Sequence, residues 1–217
     1  MLRGLAAPRV GIVGIRDISQ SADALTAIVP VADGHTAAIR HPSRIHRLAR
    51  ARHVRPCPDA LRALINADVV VVGPGSLYTN VLPNLLVEGI AATLSAVRST
   101  RIYVASLMTQ PGETQGMSLD DHLRALREHT GYELFDYVLV NQTPPTPKQL
   151  ESHRNVGAQF IACDRMPIEL GRAQLVATDL LDRYEGDVRH DGAKLAAAIL
   201  QIAGRRRLSS ASAARPS

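Results

Sequence analysis

A chain of 217 residues that is 46% hydrophobic and carries a formal charge of +5 can bury one hydrophobic core, with an appendage at most. Aromatic residues make up 3% and tryptophan is absent, which argues against a platform that stacks the bases of single-stranded nucleic acid. Cys57 and Cys163 stand far apart with no Cys or His at metal-ligand spacing, so neither a disulfide framework nor a zinc site is indicated, and a reducing, cytoplasmic compartment fits.

Arg3 and Arg9 bracket an apolar patch that Pro8 interrupts, too short for a secretory core, and the longest later apolar stretch, Leu85 to Val97, is broken by Glu88. No membrane span is predicted. Val10 to Ile15 is strand-like, and Ala24 to Ala38 reads as two short strands turned at Asp33-Gly34. Arg40 to Arg55 holds six arginines and three histidines without an acid, either a solvated face or a strip facing a polyanion. Pro58 to Ile65 predicts a short helix leading into a sheet. Residues 1–66 are thus an N-terminal segment of uncertain role, ahead of a domain over 67–203.

That domain opens on Asp68-Val-Val-Val-Val-Gly-Pro-Gly-Ser-Leu-Tyr-Thr-Asn80. Four consecutive valines show no alternation and suit a strand covered on both faces. Gly73 and Gly75 let the backbone turn sharply and approach a ligand, and Ser76 is placed to cap the next helix, whose free N–H groups would face an anion. A plain βα turn without a ligand is the alternative. A dinucleotide fingerprint would need glycine at Tyr78, a nucleophile elbow would need it at Pro74 and Tyr78, and no P-loop lysine follows.

Beyond this turn, Glu88 to Arg98 reads as a helix and Arg101 to Leu107 as a strand, with a polar loop over Met108 to Gly116. Ser118 followed by Asp121 is a capping signature for a helix through about His129, closed by Gly131. Asp136 to Val140 is the next strand, Asn141 to Pro147 a loop, and Pro147 to Val156 a helix. Ala158 to Ala162 and Leu175 to Ala177 are further strands, and Asp191 to Ala203 is the last helix. Four arginines of Gly204 to Ser217 account for most of the net charge, leaving +1 for residues 1–203. That arginine, serine and alanine tail lacks the apolar content to fold, and is expected to be disordered and to supply any weak affinity for nucleic acid. Strands alternating with helices imply an α/β fold, doubly wound about a mostly parallel sheet, with ligands bound beyond the carboxyl ends of the strands.

The blocks GPGSLYTN, LPNLLVEGI, MTQPGET, DYVLVN and RHDGAKLA, in that order between Ser43 and Ala203, resemble the YvcK-type gluconeogenesis factors of the CofD-like (2-phospho-L-lactate transferase) superfamily. The resemblance implies a Rossmann-like fold that binds a nucleotide sugar of the UDP-N-acetylglucosamine type, with a role in carbon-source adaptation and regulation of cell shape. It implies no reaction for this branch. The alternatives are a phospholactyl transferase using magnesium, or an inactive remnant. Family members open with a glycine-rich GGGTG turn that does not follow Val10 to Ile15 here, so a truncated version of the domain is expected. Such a chain would be prone to association, and a homo-oligomer is possible. The family's usual tyrosine is replaced by His153.

Backbone amides of Gly75 and Ser76 are the candidate diphosphate contacts, with the hydroxyls of Tyr78 and Thr79 nearby. Asn80 and Asn84 suit sugar hydroxyls or turn bracing. Thr109, Gln110 and Glu113 either meet ribose and sugar hydroxyls or brace their loop. Asn141 either pairs with a base or bridges to the next loop. His153 can stack on a ring, and Arg189 holds the family's basic position and could grip a diphosphate. His190 reads as structural, and Asp33 as a lone magnesium ligand would need partners.

Overall fold

The computed structural model describes residues 10–11, 25–28, 47–50, 56–163 and 167–213. Its strands are β1 (Val10–Gly11), β2 (Leu25–Ile28), β3 (Arg47–Arg50), β4 (Val69–Val72), β5 (Thr100–Val104), β6 (Tyr137–Asn141) and β7 (Gln174–Thr178). Its α-helices are α1 (Pro58–Asn66), α2 (Leu82–Leu85), α3 (Ile90–Ala96), α4 (Leu119–Thr130), α5 (Glu151–Arg154) and α6 (Gly192–Ala213). Five strands form one parallel sheet in the order β1-β4-β5-β6-β7, while β2 and β3 pair antiparallel by themselves.

Side chains alternate across a strand, so neighbouring residues serve opposite faces. On one face Val70, Tyr103, Val138 and Val140 join the core built with α1, α2, α3 and α4. On the other, Val69, Ile102, Val104 and Leu139 pack against Ala198, Ile202 and Ala203 of α6. Helices cover both faces, which is why unbroken valine and isoleucine runs form these strands. The chain has the expected α/β, Rossmann-like fold.

Polar groups at the strand starts are paired where they are buried. Arg101 in β5 is 6% exposed, and the Asp136 carboxylate accepts from its backbone N–H at 2.9 Å, its Nε at 3.1 Å and its Nη2 at 2.6 Å. Its Nη1 donates to the Ser95 carbonyl at 3.1 Å, so the guanidinium is satisfied inside the sheet. The capping box forms as the sequence predicts: Asp121 N–H donates to Ser118 Oγ at 3.2 Å, and Ser118 N–H to Asp121 Oδ2 at 2.9 Å. Gly131 closes α4 at φ 75°.

Several boundaries differ from expectation. Leu25–Ile28 is a strand and pairs with Arg47–Arg50, while the second strand expected beyond Asp33-Gly34 lies outside the described residues. Ala158–Ala162 is no strand; one bridge, Met108 to Phe160, replaces it, because Thr109 holds that segment by its own hydrogen bonds to Gln159. The helix expected over Pro147–Val156 shrinks to Glu151–Arg154. The last helix continues ten residues past Ala203, to Ala213, where a disordered tail was expected; Ala, Arg and Leu all favour helix once a nucleus exists. No described helix is long and apolar enough to cross a membrane.

Candidate functional site

All five strands of the main sheet run parallel, so the loops leaving β4, β5, β6 and β7 emerge at one end. There they surround a cleft of about 550 Å³. After β4 come Pro74, Gly75, Ser76 and Asn80; after β5 come Ser106 through Pro111; after β6 come His153, Val156 and Ala158; after β7 come Asp187 through His190.

The first wall is set by Gly73, at φ 89°, where a Cβ would stand 2.6 Å from the Val104 carbonyl oxygen. No other residue fits between the turn and β5 without displacing backbone. Ser106 Oγ donates to the Gly75 carbonyl at 2.9 Å and ties the turn to the exit of β5. The expected helix start is not regular: Ser76 makes no side-chain cap, and its carbonyl accepts from Asn80 and Val81, opening a five-residue π turn over Leu77–Val81 ahead of α2. Ser76 itself is 9% exposed.

Seven of the candidates line the cleft: Gly75, Ser76, Asn80, Thr109, Gln110, His153 and Arg189. Gly73 shapes the turn from behind. Tyr78 lies in the core, its ring edge-on to His129 at 5.8 Å between centroids. Thr79 and Glu113 meet each other outside the cleft lining, Thr79 Oγ1 donating to the carboxylate at 3.2 Å, and burial pushes the Glu113 carboxyl up against the opposing pull of that bond. Asn84 donates to the Asn80 carbonyl and braces α2. The Asn141 carboxamide is committed to the strand ends: Oδ1 accepts from Leu180 at 2.9 Å and Thr143 at 3.3 Å, and Nδ2 donates to the Thr143 carbonyl at 2.6 Å. Asp33 lies outside the described residues, and among those described no group of three or more His, Cys, Asp or Glu could hold a metal.

Thr109 is doubly used. It is 3% exposed, and its N–H and Oγ1 both bond the Gln159 backbone, so it anchors the loop while forming part of the wall. His153 Nε2 lies 2.7 Å from Asp187 Oδ1, linking the walls that follow β6 and β7. Arg189 is held on the rim with its guanidinium carbon 4.2 Å from the centre of the Tyr184 ring and its Nε 3.4 Å from Asp182.

Two polar liners, Ser106 and Asp187, escaped sequence reasoning, and a third was weighed there without a ligand role. His190, read as structural, stands in the wall with Nε2 buried and without a partner among the described residues. Burial lowers its pKa, partly offset by a hydrogen bond to the Ala105 backbone. The RHDGAKLA block was the available signal, and only its arginine was taken as a ligand contact.

Residues 36–181 match the family described as 2-phospho-L-lactate transferase CofD. The chain is 41% identical over 149 residues to a putative gluconeogenesis factor of Nostoc sp., covering 68% of this chain and 33% of that protein. It is 35% identical over 172 residues to the putative gluconeogenesis factor of Thermotoga maritima, covering 78% and 54%, and 37% identical over 163 residues to the gluconeogenesis factor of Listeria monocytogenes, covering 75% and 49%. A crystal structure of a UPF0052-family protein from Bacillus halodurans superposes with a TM-score of 0.69 at 32% identity, over 73% of this chain and 52% of that one. The chain therefore spans between a third and about half the length of these curated relatives. On the family match over residues 36–181 and these relatives, the chain belongs to the CofD-like family, among its gluconeogenesis-factor members.

Proposed function

We propose that the cleft binds a nucleotide diphosphate sugar of the UDP-N-acetylglucosamine type, and that the chain acts as a regulatory binder linking supply of that ligand to carbon-source adaptation and cell shape. The observation that carries this reading is the pairing, across one cleft, of the glycine turn at Gly75–Ser76 with the Arg189 guanidinium. Backbone N–H groups and a guanidinium are the donors a diphosphate requires. Between them Asn80, Thr109, Gln110 and His153 supply amides, a hydroxyl and an imidazole suited to sugar and base. A volume of about 550 Å³ falls within the range of small-molecule sites.

Calorimetric titration of the native chain, Gly75→Val and Arg189→Ala with UDP-N-acetylglucosamine tests this. Gly75 has Asn80 Cβ only 3.3 Å from where its own Cβ would stand, so valine crowds the turn and intrudes on the ligand. Native heats that vanish or weaken in both variants are expected; equal heats from all three proteins refute the reading.

A second reading, group transfer with magnesium, is favoured by one observation. His190 is an imidazole in the cleft wall whose charged form is disfavoured by burial, the direction that suits a proton acceptor. Release of free nucleotide from UDP-N-acetylglucosamine and magnesium, followed by chromatography and lost in His190→Gln, would decide for it.

A further inference from the structure

Arg189 is half exposed and sits at the end of a long flexible stem, yet the structure holds it in one place. Its guanidinium carbon lies over the Tyr184 ring at 4.2 Å from the centroid. The Tyr184 backbone is held at both its N–H and its carbonyl, and its ring, on a residue 56% exposed, rests against Gly186. Its N–H donates to Asp182 Oδ1 at 3.0 Å. Its carbonyl accepts from Nε2 of Gln149 at 3.1 Å, and the same amide, on a side chain that is 3% exposed overall, also donates to the Asp182 carbonyl at 2.9 Å. Its ring lies against Gly186, where a Cβ would come within 2.6 Å of Cε1 and 2.8 Å of Cζ and Oη. Gly186 lacks the positive φ that by itself demands glycine, so the bare Cα there serves the ring and not the backbone.

We propose that Tyr184 is the positioning residue of Arg189, presenting the guanidinium to the phosphate groups of the ligand. The inference rests on the reading that Arg189 meets a diphosphate in the cleft. A cation over an aromatic face is restrained in position by the ring while its in-plane N–H groups stay available for a bidentate contact with phosphate oxygens. Asp182, 3.4 Å from Nε, fixes the stem side of the same group. The ring is the adjustable element, because removing it frees the guanidinium while leaving every cleft-lining side chain itself unaltered.

The test is titration of the full chain with inorganic pyrophosphate, with UDP-N-acetylglucosamine and with uridine, at one ionic strength, for the native protein, Tyr184→Phe, Tyr184→Leu and Gly186→Ala. Tyr184→Phe keeps the ring face and should bind all three as the native protein does. Tyr184→Leu and Gly186→Ala should weaken pyrophosphate and the nucleotide sugar roughly threefold to tenfold, the scale of a surface cation–π contact plus lost pre-organisation, and leave uridine unchanged. Native affinity for pyrophosphate in Tyr184→Leu overturns the proposal, as does equal weakening toward uridine, which would mark general damage to the fold. Failure of the native chain to bind pyrophosphate overturns it too. If pyrophosphate binds and responds to Tyr184 while the nucleotide sugar does not bind, the positioning role stands and the nucleotide-sugar reading falls.

Discussion

Replacing Gly73 with alanine should cost far more than a glycine-to-alanine change in open surroundings. Two terms act at this position. The φ of 89° lies in the region L-residues avoid, for which about 1–2 kcal/mol is the ordinary penalty. The new Cβ would also stand 2.6 Å from the Val104 carbonyl oxygen, and β5, buried along its whole length, cannot retreat from it. Forcing a methyl group into a packed interior costs roughly 1–3 kcal/mol, which brings the sum to about 2–5 kcal/mol. For a chain of this size that lowers the melting temperature by about 4–20 °C. Gly116 supplies the internal control, since its φ is 70° and nothing stands within 4 Å of its hypothetical Cβ. Urea denaturation of Gly73→Ala and Gly116→Ala isolates the contact with β5. If the two substitutions prove equally costly, the close approach of the turn to β5 is not what demands glycine, and the account of the first cleft wall fails.

Two further outcomes follow from buried groups. Asp136→Ala strips the Arg101 guanidinium of its carboxylate inside the sheet and should destabilise by roughly 3–5 kcal/mol, with Arg101→Met in the same chain restoring much of the loss; a cost under about 1 kcal/mol in denaturant titration would contradict the pairing described. His190 has a folded pKa below its unfolded one, so as acid is added the unfolded chain takes up the proton first. Stability from this group is fully present above about pH 6.5 and is lost as pH falls through the lower folded value. Unfolding free energies measured between pH 7.5 and 5 should therefore fall less in His190→Asn than in the native chain, and parallel curves would refute the assignment.

What was legible in the sequence was local. The Ser118–Asp121 box and Gly131 state the ends of α4 within a few residues, because capping bonds join near neighbours. The four valines of β4 announced a strand covered on both faces. The Gly73–Ser76 turn and Arg189 were legible as parts of one site only through the family blocks, since sheet topology brings them together from residues more than a hundred apart. Ser106 and Asp187 carry no local signature at all. Ser76 misled in the other direction: a serine ahead of an apolar run reads as a cap, but the wide turn that follows takes the Ser76 carbonyl and leaves its hydroxyl unused for capping. The pairing of β2 with Arg47–Arg50 was not read from the sequence because no short-range pattern encodes it.

Gln149 joins two segments that are far apart in sequence, its amide reaching the backbone around Tyr184 while its carbonyl oxygen takes the Thr146 N–H at 3.0 Å. The rim that bears Arg189 is thereby tied to a buried glutamine by part-buried bonds. On the proposed reading, a ligand bound there would have less loop to order, and less of its contact energy would be spent on ordering. Under the proposed reading the same arrangement would limit versatility, since a rim pre-ordered in this way would favour ligands whose anion and sugar match one spacing.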